Sequence, residues 1–192
     1  MSEVRVDPLS GLRTIVAPDR AHRDEDPRDP FAEGNESQTP PELYAVRPDG
    51  SAPDTPGWLV RVVPNRFPAL DGATDPVARD ANARLFTAVA AAGSHEVIVN
   101  SPRAVTSLQQ LDAGELALAV GVWRERMRAH PEAACLHLFV NEGEPGGASR
   151  EHTHAQLLAF DFVPALIARE RERFGAYAVA TMGQQLLDDL VS

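Results

Sequence analysis

The residues best suited to chemistry lie in one stretch, Asn141-Glu-Gly143-Glu-Pro-Gly146-Gly147-Ala-Ser149-Arg-Glu-His152-Thr-His154-Ala-Gln156. In an extended chain alternate side chains share a face. His152, His154 and Gln156 therefore line up together, and Thr153, Ala155, Leu157 and Ala159 form the opposite, core-facing row. Just upstream, Gly143, Gly146 and Gly147 let the backbone come close to a ligand and turn N–H groups toward an anion. An imidazole beside an anion cradle, with an amide donor one pleat away, suits nucleophilic attack on phosphorus. Two plainer readings stay open at this point. A His-x-His pair on a strand is also a surface pair or half a metal site, and a glycine-rich turn between strands is also only a hairpin. The conjunction of loop, Ser149 and His-x-His-x-Gln favours the chemical reading.

Strands and helices must position this stretch. Residues 153–162 read as a strand, preceded by Leu136 to Asn141 as its hairpin partner. Trp58 to Pro64 and His95 to Asn100 are two more β-branched runs bounded by turn residues, with His95 placed to cap the start of its strand. Asp112 and Glu115 form a capping box, opening a helix that ends near His130-Pro131, with Leu116, Val120, Trp123 and Met127 as its apolar stripe. Residues 75–92 have helix-like composition, and a last helix starts at Pro164 and carries the Arg169 to Arg173 charge run. Most of the 16 prolines fall in the first 70 residues, so that part should be extended segments and loops. The fold class expected is α+β, an antiparallel sheet with flanking helices. Residues 1–56 are then a loop-rich segment packing on the same domain as the sheet and helices of 57–192.

Composition narrows the chemistry. The chain has 192 residues, enough for a core without disulfide or metal staples. The single Cys135 excludes an intrachain disulfide and a thiolate metal cage. A net charge of −10 disfavours nucleic acid as a partner. No apolar run is long enough for a membrane span, and MSEVRVDPLSG lacks a secretory apolar core, so the cytoplasm is the expected compartment. All 18 basic residues are arginine, which excludes lysine-dependent phosphate loops and Schiff bases.

Collinear tracts along nearly the whole chain resemble the N-terminal half of the galactose-1-phosphate uridylyltransferase family, within the histidine-triad superfamily. They are Arg5-Val-Asp7-Pro8-Leu9-Ser-Gly11 with Ile15-Val16-Ala17-Pro18, Arg20-Ala-His-Arg23, Asp29-Pro30-Phe31-Ala32-Glu33-Gly34-Asn35-Glu36, Thr39-Pro40-Pro41-Glu42, Val63 to Leu70, His95 to Val99 with Ser101-Pro102, and Asn141 to Gln156. The resemblance implies a histidine-triad-like sheet forming one half of a two-half transferase. It implies that His154 is the nucleophile on the α-phosphorus of a UDP-sugar, holding UMP as a phosphohistidine until a sugar 1-phosphate takes it. Gln156 would donate to the phosphoryl oxygens. Asn141, Gly147, Ser149 and His152 match the phosphate loop, Asn65 and Phe67 the nucleoside pocket, and Arg20 and Arg23 a pair that reaches phosphate across a dimer interface.

The chain departs from the family where many members bind zinc. The ligand positions hold Asp29, Ala32 and Ala104, with only His152 kept. Two ligands fall short of a structural zinc, so no metal and no other cofactor is expected. His152 becomes a hydrogen-bonding residue that orients the loop. Because only one half is present, the chain is expected to form a homodimer or to bind a separate C-terminal-half chain. Two alternatives to uridylyl transfer remain: an adenylyl-transferring relative, and a nucleotide-binding subunit without turnover.

Overall fold

The computed structural model describes residues 2–18, 28–71, 85 and 87–192. In chain order these form β1 (Glu3–Val6), β2 (Arg13–Val16), β3 (Tyr44–Val46), β4 (Val60–Pro64), β5 (Thr87–Ala90) and β6 (Gly93–Val99). Then come α1 (Ala113–Arg128), β7 (Cys135–Val140), β8 (His154–Phe160), α2 (Ala165–Ala180) and α3 (Leu186–Val191). Every strand pairing is antiparallel. A small sheet runs β2-β1-β5, and a larger one runs β3-β4-β6-β8-β7.

β8 lies between β6 and β7, and all seven of its residues are buried. Its alternation divides two environments. On one face Ala155 and Leu157 pack with Val60, Val62 and Ile98 against Ala119 and Val122 of α1. On the other face, Leu158 and Phe160 pack with Val4, Leu70 and Ala91, and Val97 and Val99 of β6 pack with Trp58 and Phe31. His154 and Gln156 belong to this second face, as the period of two predicts.

The capping box forms as expected: the Asp112 carboxylate accepts from Glu115 N–H, and the Glu115 carboxylate accepts from Asp112 N–H. The buried stripe of α1, however, is rotated from the expected one. Ala119 and Val122 are buried, with Trp123 and Met127 beside them, whereas Leu116 and Val120 are each 36% exposed. A small residue at Ala119 lets the helix sit close on the sheet, and that packing overrides the larger aliphatics on either side. A second expectation fails at 87–90. This end of the alanine-rich stretch is β5, pairing Thr87 with Val6 and Val89 with Val4, because the β1 ladder satisfies its backbone groups. Residues 72–84 lie outside the described residues.

Polar side chains fasten the N-terminal third to the larger sheet. Arg61, 1% exposed, reaches Glu42 at 3.1 Å, Asp54 at 2.6 Å and Thr39 Oγ1 at 2.7 Å. Trp58 Nε1 donates to Glu36 at 2.8 Å. Neither of the central strands β6 and β8 has a bare apolar face. The C-terminal helices do leave apolar side chains exposed, among them Leu166, Phe174, Val179 and Leu190, and no residue of α2 or α3 is buried. No helix among the described residues is long and apolar enough to cross a membrane.

One buried ion pair ties α1 to the sheet. Glu96 of β6 accepts from Arg126 Nη2 at 2.7 Å and Nε at 2.9 Å, with His130 Nε2 at 2.8 Å. Burial pushes the Glu96 carboxyl up, but the Arg126 and His130 contacts outweigh it and hold it below its usual range. The folded state therefore binds this proton less tightly than the unfolded chain. Its stabilisation is fully present above the ordinary glutamate range and is lost as pH falls through the lower folded value. Glu96→Gln should cost about 3 kcal/mol at neutral pH by leaving Arg126 without its counter-charge. Urea unfolding of both proteins from pH 7 to 3 should show the difference shrinking with acid, and a constant difference would contradict the assignment.

Candidate active site

The site is built on the N-terminal end of β8 and the hairpin loop that precedes it. Val140 pairs with Ala155, so residues 141–153 arch over the end of β8 that carries His154. Loop geometry depends on glycine. A Cβ on Gly146 would come within 2.4 Å of the Glu142 carbonyl oxygen, and Gly143 and Gly147 have φ of +65° and +73°. The Glu142 carboxylate anchors the loop by accepting from Leu108 N–H at 2.6 Å and Ser107 Oγ at 2.9 Å. The N–H groups of Gly147 and Ala148 donate within the loop, to Glu144 and Gly143 carbonyls. Gly147 thus contributes its backbone conformation and its open space toward Asn141, whose Nδ2 lies 3.9 Å from where a Cβ would stand. Ser149 is exposed and lines a cavity of about 340 Å³ with Arg28, Thr106 and Arg150.

His154 is 4% exposed. Its Nδ1 lies 2.8 Å from the His152 carbonyl oxygen, which can only accept, so Nδ1 carries the proton and Nε2 keeps a lone pair. Burial holds the ring's pKa below the usual histidine value. The His152 carbonyl opposes that shift, the charge on His152 adds to it, and Asp29 opposes it. The result is a neutral imidazole at neutral pH, the form that can act as a nucleophile. Phe31, from the N-terminal segment, packs its ring 5.0 Å from that of His154.

His152 is held quite differently. Its Nδ1 is 2.7 Å from Asp29 Oδ2, and its Nε2 is 2.8 Å from the Ser101 carbonyl oxygen. Both partners are acceptors, so the ring is held between a carboxylate and a backbone carbonyl. Burial pushes Asp29 up, but the bond from His152, the Phe31 N–H and the charges of His152 and Arg150 together hold it below its usual value. This arrangement does not fit the family zinc. Ala32 and Ala104 supply no donor atom, which leaves Asp29 and His152, two ligands where a structural zinc takes four. Among the described residues no cluster of three or more His, Cys, Asp or Glu is placed to hold a metal.

Gln156, 8% exposed, has its Oε1 3.0 Å from His95 Nε2. Asn65 joins this group: its N–H donates to the His95 carbonyl at 2.8 Å, its Oδ1 accepts from Phe67 N–H at 2.9 Å, and its Nδ2 lies 3.1 Å from His95 Nε2. Phe67 is half-buried beside it. Phe139 of β7 stands directly across from Gln156 on the same face. His152, His154 and Gln156 thus run in a row along one face from the N-terminal end of β8, and His95 and Asn65 join that row at Gln156 from the opposite end of β6 and β4. Arg20 and Arg23 lie outside the described residues.

Sequence reasoning missed His95, Phe31 and Phe139 as parts of the site. His95 does not cap its strand, because its side chain points into the site from the face shared with Val97 and Val99. The signal for Phe139 was available: in the hairpin register it falls opposite Gln156. Phe31 has no local signal, since only the packing of a loop across the sheet brings it to His154.

A model of the galactose-1-phosphate uridyl transferase N-terminal domain matches residues 1–164. The chain belongs to this family. It is 28% identical over 182 residues to the ADP-glucose phosphorylase of Arabidopsis thaliana, covering 86% of this chain and 50% of that one. It is 29% identical over 202 residues to the galactose-1-phosphate uridylyltransferase of Cryptococcus neoformans, covering 96% and 52%. A solved uridylyltransferase mutant superposes with a TM-score of 0.72 at 25% identity, over 93% of this chain and 51% of the other. The α+β fold with its antiparallel sheet is therefore that of these transferases, and the chain spans about half the length of the curated relatives it matches.

The Asp29–His152 pair yields a test. Asp29→Ala should cost about 2 kcal/mol, less than a fully buried pair because Asp29 is a third exposed. A strong chelator should leave the Tm of the parent unchanged, and elemental analysis of untagged protein should find well under one zinc per chain. A stoichiometric zinc that survives dialysis would contradict the hydrogen-bonding assignment of His152.

Proposed function

We propose that the chain is the catalytic half of a nucleotidyltransferase that exchanges UMP between a UDP-hexose and a hexose 1-phosphate. The observation that carries this reading is the buried His154, neutral and with Nε2 free to attack while Nδ1–H is held by the His152 carbonyl. In the first step the Nε2 lone pair bonds to the α-phosphorus, the bond from that phosphorus to the bridging oxygen breaks, and hexose 1-phosphate leaves with the electron pair. In the second step a phosphate oxygen of another hexose 1-phosphate attacks the same phosphorus, and the N–P bond breaks to restore His154. Developing charge on the His154 ring in the first step is stabilised by the His152 carbonyl. Gln156 donates its amide protons to the phosphoryl oxygens, Asn141 and Ser149 hold the phosphate from the loop, and Asn65 and Phe67 flank the nucleoside.

A second reading, adenylyl transfer, is favoured by the resemblance to an ADP-glucose phosphorylase. The experiment separates them. Protein incubated with UDP-glucose or ADP-glucose, each labelled at the α-phosphorus, should take acid-labile, base-stable label from the uridine substrate in preference, and His154→Ala should take none. Preference for ADP-glucose would establish the second reading. Label retained in His154→Ala would remove the nucleophile. No label from either substrate would leave a nucleotide-binding subunit.

We also propose that the working site is assembled from more than one chain, either a homodimer or a complex with a separate C-terminal-half chain, with Arg20 and Arg23 at the junction. The reading rests on the half-length match to the relatives and the exposed apolar residues of α2 and α3. Multi-angle scattering should find a mass above the 20.7 kDa of one chain, alone or after adding the partner. A monomer that turns over UDP-glucose and galactose 1-phosphate by itself would contradict it.

A further inference from the structure

We propose that His95 is a positioning residue that sets which way the Gln156 carboxamide points, and so decides whether it meets the transferring phosphoryl group with donors or with an acceptor. The inference deepens the transfer reading above and rests on it for its kinetic consequence, though its structural core stands on its own.

The His95 ring is 5% exposed. Its Nδ1 lies 3.0 Å from the backbone N–H of Ala69. A backbone N–H only donates, so Nδ1 must be the accepting nitrogen, and the proton of the neutral ring sits on Nε2. Nε2–H then faces Gln156 Oε1 at 3.0 Å and donates to it. The opposite tautomer would set Nδ1–H against the Ala69 N–H and a lone pair against the Gln156 oxygen, two repulsive contacts at once. Among the described residues the Nε2–H form meets one unfavourable neighbour, Asn65 Nδ2 at 3.1 Å, and the Asn65 amide is itself oriented by the Phe67 N–H on its Oδ1.

The consequence is local to Gln156. A carboxamide has a donor end and an acceptor end of nearly equal size, and nothing in its shape selects between them. His95 selects: a flipped Gln156 would place its NH₂ against Nε2–H. With Oε1 fixed toward His95, the NH₂ is presented on the side away from His95. Gln156 faces Val97 in the β6–β8 register, and His95 faces Leu158, so the contact is a diagonal one across the strand pair. This joins Ala69, His95 and Gln156 into one chain of hydrogen bonds running from the backbone after β4 to the site. Donors held in advance lose no reorganisation energy when phosphoryl charge develops, whereas a carboxamide free to flip presents an oxygen to other oxygens for part of the time.

The test uses the full chain. In uniformly ¹⁵N-labelled protein at neutral pH, a long-range ¹H–¹⁵N correlation spectrum reads the tautomer of His95, whose signals are assigned by their disappearance in His95→Phe. The expected result is protonated Nε2 and unprotonated Nδ1, and an Nδ1–H ring or an imidazolium overturns the proposal. The kinetic arm measures the rate of label transfer from UDP-glucose to His154. His95→Phe and Gln156→Ala should each lower the saturating rate by about tenfold or more, with half-saturation changed much less. The double variant should be no slower than Gln156→Ala alone, because His95 acts through Gln156. His95→Gln, whose amide nitrogen reaches the place of Nε2, should recover most of the rate. Losses that multiply in the double variant overturn the proposal, as does a His95→Phe protein with parental rate. Urea midpoints for each variant confirm that the compared proteins are folded. If the parent takes no label, the transfer reading fails separately, and the tautomer decides the His95 assignment by itself.

Discussion

Burial of β8 on both faces is the constraint on which the rest of the site depends. A strand with one wet face could carry its histidines in water, where their protonation would follow bulk pH and their rings would sample several rotamers. Here the alternation of β8 places Ala155 and Leu157 under α1 and puts His154 and Gln156 beneath the N-terminal segment. The polar side chains on that second face are therefore oriented by partners inside the protein. The partners are specific: a carbonyl for His154, a carboxylate and a carbonyl for His152, a ring nitrogen for Gln156.

Those partners give two neighbouring histidines different settings. His152 meets acceptors at both nitrogens and is fixed in place, while His154 meets one acceptor and keeps a lone pair to use. Burial holds the pKa of His154 down, and His152 adds to that shift. The Asp29–His152–Ser101 chain of hydrogen bonds also fastens two parts of the fold together. It ties the 28–36 segment to the start of β8, and that tie keeps Phe31 over the His154 ring.

Much of this was legible from the chain itself. The hairpin, the two β-branched strands and the capped helix follow from local pattern, because turn chemistry, period and capping act over a few residues. The alternation of His154 and Gln156 against Ala155 and Leu157 fixed the chemical face directly. Three things were not legible. The rotation of α1 toward Ala119 depends on how close the helix lies to the sheet, and β5 depends on a ladder with β1 more than 80 residues away. The place of His95 depends on the β6–β8 register and on a backbone N–H at Ala69, neither of which has a signature in sequence. Residues joined only by packing across the sheet were the ones missed.

Under the proposed transfer, the nitrogen of His154 that takes the nucleotide tests the central claim most directly. The denatured phosphoprotein, trapped after reaction of the assembled protein with α-labelled UDP-glucose, can be digested and its phosphohistidine isomer identified by ³¹P NMR against authentic standards. The hydrogen bond from Nδ1 to the His152 carbonyl requires the Nε2-linked isomer. An Nδ1-linked nucleotide, or one attached to any residue other than His154, would contradict the account.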